Sequence, residues 1–142
     1  MPKSPSSPRR DANKDLLSRV SEICASFPEV SRETHGSHAT FRVGKKVFAY
    51  FLDNHHGDGI VSVCLKTTLG ENRDLAQQRP QQFYMPAYIG PRGWVGVHLD
   101  GTPISWGETA ALLKASFCMV APKTLAAAVR NNAGTKPSRL GG

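Results

Sequence analysis

Three β-rich runs follow one another within 27 residues, at 39–43, 47–52 and 60–65, with no helical pattern between them. Ala39-Thr40-Phe41-Arg42-Val43 alternates at period two, the mark of a half-buried strand. Val47-Phe48-Ala49-Tyr50-Phe51-Leu52 is apolar on both faces, which predicts a central strand covered on both sides. Gly44-Lys45-Lys46 reads as a tight hairpin tip, and residues 53–59 as a turn rich in Asn, His, Asp and Gly. Parallel pairing needs a crossover of about a dozen residues or more. Neither connector is that long, so the three strands pair as an antiparallel meander.

Helical patterns flank this meander. Leu16, Leu17, Val20, Ile23, Cys24 and Phe27 form one stripe, which predicts a helix over about 13–27. Asp11 or Asn13 is expected to cap it, and Pro28 to end it by disfavouring α geometry at Phe27. Residues 28–37 read as a polar connection. Thr68-Leu69-Gly70-Glu71 has capping-box spacing and predicts a short helix over about 71–79, peripheral because only Leu75 and Ala76 are apolar. A short strand is expected at 83–85.

The stretch 84–100 is the densest in information, with aromatics, glycines, Arg92 and a final strand. In that strand Val95, Val97 and Leu99 share one face, and Trp94, Gly96 and His98 the other. Gly90-Pro91-Arg92-Gly93 looks like a phosphate loop but precedes a strand. Phosphate loops open a helix, whose N-terminus holds the anion, so Gly90 and Gly93 are assigned to a turn and a bulge.

Ser105-Trp106-Gly107-Glu108 is a second capping box. The core helix after it is expected to bury Ala111, Leu112, Ala115, Ser116 and Met119, widened by Leu113, Phe117 and Val120. Pro122 starts a last short helix through about residue 130. The order α-β-β-β-α-β-β-α-α gives an α+β fold, with an antiparallel sheet of about five strands packed with helices.

The chain has 142 residues, enough for one domain with a sizeable core. That domain is expected at 11–130, between a disordered basic arm at 1–10 and a disordered basic tail at 131–142. The formal charge is +7, of which the arm supplies +3 and the tail +2. Residues 11–130 are thus only mildly basic. Cys24, Cys64 and Cys118 are widely spaced, each within an apolar pattern, so a reducing cytoplasm fits. No run is long and apolar enough to span a membrane.

Chemistry-bearing residues are sparse. His35 and His38, or His55 and His56 beside Asp53 and Asp58, lie in loops without cysteine partners, so no metal is expected. No nucleophile elbow or paired carboxylate is readable, though Ser116 and His98 are possible neighbours in space. No cofactor and no enzymatic activity are expected.

Phosphate binding needs converging cations. Lys45 and Lys46 at the hairpin tip, extended by Arg42, Lys66 and Arg92, supply them. Arg9 and Arg10 on the arm add salt-sensitive attraction, while Trp94 and Tyr88 are candidates to stack on bases. The alternative for 84–94 is a concavity near Tyr84, Tyr88, Arg92 and Trp94 that takes a small ligand or another protein.

The element order and several residue groups resemble the MmcQ/YjbR family. The resemblance runs from about Leu16 to Val129. It is carried by Phe41-Arg42-Val43, Gly44-Lys45-Lys46, Phe48-Ala49, Leu65-Lys66, Gly93-Trp94, Val97 through Gly101, Leu112, Ser116-Phe117 and Pro122-Lys123. The family's Ser-Tyr pair reads Ser116-Phe117 here, so no phenol role carries over. The resemblance implies a CyaY-like fold and a small cytoplasmic protein that binds DNA through a double-wing arrangement. Iron binding in such a fold depends on an acidic ridge. Here Asp11, Asp15 and Glu22 are offset by Lys14 and Arg19, so iron is not expected. A monomer is expected.

Overall fold

The computed structural model describes residues 8–54, 59–100 and 103–135. Ten elements follow in order: α1 (Pro8–Ala25), β1 (Val30–His35), β2 (His38–Val43), β3 (Lys46–Asp53), β4 (Val61–Lys66), α2 (Glu71–Gln78), β5 (Phe83–Tyr84), β6 (Trp94–His98), α3 (Trp106–Val120) and α4 (Lys123–Thr135). The fold is α+β, with one antiparallel sheet ordered β1-β2-β3-β4-β6-β5. The meander is β2-β3-β4, as its short connectors require.

The sheet gains a sixth strand where a polar connection is expected. Val30–His35 pairs with β2 along its whole length. It is an edge strand with five exposed residues, so its side chains need no apolar alternation. Two-residue loops, Gly36-Ser37 and Gly44-Lys45, close the first two hairpins. Gly36 and Gly44 both have φ 62, a conformation glycine adopts without steric cost.

Burial on both faces belongs to β4, whose residues 61–65 are all buried, and not to β3. The apolar run in β3 has another cause. Phe41 pairs with Ala49 and Arg42 with Val47, so Phe48 is the extra residue of a bulge. The bulge turns Phe48 into the core beside Ala49. Its ring lies 6.1 Å from Phe27 and 5.5 Å from Phe117.

One face of the sheet holds the core. Ala39, Phe41, Ala49, Phe51, Val63, Leu65, Val95 and Val97 meet Val20 and Cys24 of α1, Leu113 and Phe117 of α3, and Val129 of α4. The buried face of α3 is Thr109, Leu113, Ser116 and Phe117. The expected stripe was rotated from this. Ala111 and Ala115 are exposed, and Met119 is 44% exposed. Leu113 and Phe117 bury far more apolar area than alanines do, and that difference sets the phase.

Helix ends depart from expectation in four places. α1 begins at Pro8, so Asp11 and Asn13 lie inside it rather than capping it, and Asn13 Nδ2 donates to Asp53 Oδ2 at 3.3 Å. α2 is capped by Gly70, while Glu71 folds back onto Thr68 N and Oγ1. α3 keeps half of its capping box. Ser105 Oγ accepts from Glu108 N at 3.2 Å, but the Glu108 carboxylate turns to Arg79 instead of its own helix start. α4 extends beyond the expected end, to Thr135. Residues 1–7 and 136–142, most of the expected arm and tail, lie outside the described residues.

Arg79 and Glu108 tie the end of α2 to the start of α3 through two bonds of 2.6 and 2.8 Å. Arg79 also donates to Gln82. The guanidinium holds the Glu108 carboxyl below its usual range. Both side chains are more than a third exposed, so solvent screens much of the gain. Glu108→Gln should therefore cost only about 0.5–1 kcal/mol at pH 7. A lowered carboxyl pKa stabilises the fold above the ordinary carboxylate range, and the gain is lost as pH falls through the lowered value. Urea titrations of both proteins at neutral and acidic pH should therefore converge on the acid side.

Candidate nucleic-acid interface

Strand register brings the six singled-out residues to one end of the sheet. Lys45 is in the β2–β3 tip, Lys46 pairs with Val43, and Arg42 with Val47. β4 runs antiparallel to β3, so its last residue, Lys66, lies at the same end. Lys66 pairs with Trp94, the first residue of β6. Arg92 ends the 3-10 turn Gly90–Arg92 just before that strand. Adjacent strands lie about 4.8 Å apart, so β2, β3, β4 and β6 spread these groups over roughly 14 Å.

Their surroundings differ. Lys45, Lys46 and Arg92 are exposed. Arg42 is half-buried and partly engaged. Its Nη1 donates to Lys45 O at 3.3 Å, and its Nη2 lies 3.6 Å from Glu33 Oε1. Lys66 is half-buried on the face away from the core. Trp94 is only 8% exposed, which corrects its expected role as a ring open to bases. Tyr50 and Trp94 sit on the strands flanking β4, on the same face, and their rings meet 5.4 Å apart. The indole packs the sheet and offers no free stacking surface.

On the same face Tyr84 covers β4 and β6. Its ring lies across Gly96, its cross-strand partner. Its hydroxyl is 2.8 Å from Ser62 Oγ and 3.6 Å from Cys64 Sγ, both fully buried, and its ring stacks on His98 at 4.9 Å. Tyr84 and Trp94 are thus taken up in packing the sheet, while Tyr88 and Arg92 of the same stretch are exposed. A groove of about 320 Å³ lies elsewhere, between α1 and the β1–β2 edge, lined by Ser21, Glu22, Ala25, Val30, Arg32 and Phe41.

Ser116 and His98 lie on opposite faces of the sheet and are not neighbours. Ser116 Oγ donates to Phe48 O at 2.6 Å and accepts from Lys66 N at 2.9 Å. His35 and His38 pair across the first hairpin, with His38 Nε2 2.9 Å from Asp53 O. His55, His56 and Asp58 lie outside the described residues. Among the described residues no three His, Cys, Asp or Glu side chains gather to hold a metal ion, and no helix is long and apolar enough to cross a membrane. Among the described residues no cysteine is in a disulfide, and burial pushes the Cys24 thiol up to about 12.

The loop between β5 and β6 sits at the cationic end and is firmly held. Asn72 of α2, 3% exposed, donates through Nδ2 to Gly90 O at 2.8 Å and to Trp94 O at 2.9 Å. Gly93, at φ 99, sits so close to Thr67 O that a Cβ would be 2.7 Å from it. Asn72 was invisible in the sequence, because a polar residue in a short polar helix carries no sign of what it will staple.

The sequence profile described as YjbR matches residues 25–119, roughly two thirds of the chain. No curated protein matches. A solved structure, protein DR2400 of Deinococcus radiodurans with its DUF419 domain, superposes with a TM-score of 0.61 at 23% identity, over 89% of this chain and 93% of that one. At that identity the similarity speaks to the fold.

Proposed function

The chain belongs to the YjbR family, and on that premise we propose that it is a non-enzymatic, cytoplasmic DNA-binding protein that contacts phosphates with weak or no sequence preference. The observation that carries this is the register that collects Arg42, Lys45, Lys46, Lys66 and Arg92 at one end of the sheet. Cations gathered in one place release counterions together when they meet a polyanion. The folded part has little net charge, so their clustering matters more than the total.

Weak sequence preference follows from what the site lacks. α3 carries a single cation, Lys114, and buries its Leu113, Ser116 and Phe117 face against the sheet. Reading base edges requires a helix or ribbon free to enter a groove. The tight Gly44-Lys45 loop fixes the backbone of the tip, and its lysines present point charges rather than the bidentate fork that reads a base edge.

Fluorescence anisotropy with labelled DNA across a salt series tests the proposal. The wild-type affinity should fall steeply with salt. Lys45→Ala/Lys46→Ala should weaken binding evenly across sequences and reduce the salt slope by about 2, one unit per lost phosphate contact. Absence of binding to any DNA at low salt would refute it.

A further inference from the structure

Tyr88 is the least explicable residue of the fold. It is 88% exposed, so its ring contributes almost no buried area. Its backbone sits at φ 69, in the left-handed region. Ile89 N donates to Ala87 O across it at 2.7 Å, the bond of a γ-turn, and positive φ at the centre makes this the rare, strained form. A bulky side chain there is an outlier, and glycine would occupy the site with less strain. Residues held this way persist only where the surroundings over-determine them, and they cluster at functional sites.

The surroundings do over-determine it. Gly90 N donates to Pro86 O at 2.9 Å, and Gly93 N to Gly90 O at 3.0 Å, closing the loop on both sides of the turn. Asn72 fixes the same Gly90 from beneath. Tyr88 is thus presented on a rigid support, one 3-10 turn before the exposed Arg92. Leu69, 78% exposed, lies beside Gly93 on the adjoining loop. An aromatic ring held out one turn before an exposed arginine matches what an unpaired base needs: a flat apolar surface for its π-face, with positive charge close by in the chain for its phosphate. A duplex keeps its bases stacked inside and gains little from such a ring.

We infer that Tyr88 is a stacking platform, and that the cationic end prefers single-stranded nucleic acid with exposed bases to duplex. This rests on the phosphate-contacting role proposed above, with the ring adding the preference between strands. Trp94, the other aromatic of the stretch, is buried and leaves this task to Tyr88.

Anisotropy with a labelled oligothymidylate and a duplex of equal length, at one salt concentration, separates the two ideas. Wild type should bind the oligothymidylate more tightly. Tyr88→Ala should weaken that binding about tenfold while leaving duplex affinity unchanged, and Tyr88→Phe should keep both. Tyr88→Gly should lose the single strand equally yet raise the thermal midpoint, because it relieves the turn. If Tyr88→Ala binds both probes like wild type while Lys45→Ala/Lys46→Ala is impaired, stacking is refuted and phosphate contact stands. If wild type binds neither probe, both fall. If Tyr88→Ala spares the oligothymidylate but loses co-sedimentation with phosphatidylserine vesicles, the ring is a lipid anchor and the inference is overturned.

Discussion

Gly96→Ala should lower stability by about 3 kcal/mol in urea unfolding, a large cost for one methyl group. A Cβ at Gly96 would lie 2.7 Å from Tyr84 Cδ1 and closer still to Cε1 and Cζ. The ring cannot slide aside without giving up its hydroxyl contact with Ser62 and its stack on His98. Once it lifts, water reaches Ser62 and Cys64 at the centre of the sheet. Tyr84→Ala alone should cost a similar amount, since it uncovers the same groups. The double variant should cost scarcely more than Tyr84→Ala alone, because the ring supplies the three nearest atoms that the methyl would meet. That strong non-additivity is the signature of a shared contact. Additive costs would show that the glycine is needed for some other reason.

Ser116→Ala should cost about 3 kcal/mol. The reason lies in the sheet ladder. Asn54 N donates to Ile60 O, which places Leu52/Ser62 and Tyr50/Cys64 in the hydrogen-bonded class of pairs. The next such pair would be Phe48/Lys66, and there the bulge parts the strands. The Ser116 hydroxyl fills the break, receiving from Lys66 N and giving to Phe48 O. Removing it orphans a buried donor and a buried acceptor, each costing about 1–3 kcal/mol unless the strands close up. Hydrogen exchange at the Lys66 amide checks this separately from global unfolding. Its protection should drop by more than that of its neighbours in β4.

The two substitutions also mark where the sequence is legible. β2, β3 and β4 can be read from it because alternation and short connectors leave one topology. Val95, Val97 and Leu99 can be read as core by the same period-two rule. β1 cannot, because an edge strand with exposed side chains is held by backbone bonds that any residue but proline supplies. The phase of α3 cannot, because its apolar stripe is wide enough for two orientations, and only the sheet beneath selects Leu113 and Phe117. Gly96 reads only as a position on one face of the last strand until the ring that covers it is known, and that ring comes from twelve residues earlier by way of a strand pairing.

At the site, the charges are legible and their gathering is partly so. Lys45 and Lys46 announce a hairpin tip through Gly44. Lys66 follows from the β3–β4 pairing, but that Arg92 reaches the same end depends on β6 inserting between β4 and β5, which no local pattern records. Trp94 shows the limit from the other side. Its neighbours in sequence suggest a turn, but its neighbour in space is Tyr50.

The Ser116 bridge also sets an order of events during synthesis. β2, β3 and β4 each pair with the strand just before them, so four strands can assemble once Lys66 has left the ribosome. The hydroxyl that mends their broken rung is encoded fifty residues later. Until α3 emerges, the nascent sheet carries an open gap between Phe48 and Lys66, beside an apolar face that α1 covers only in part. The helix that buries that face is the one that closes the gap, so the tunnel must release nearly the whole domain before the sheet is complete.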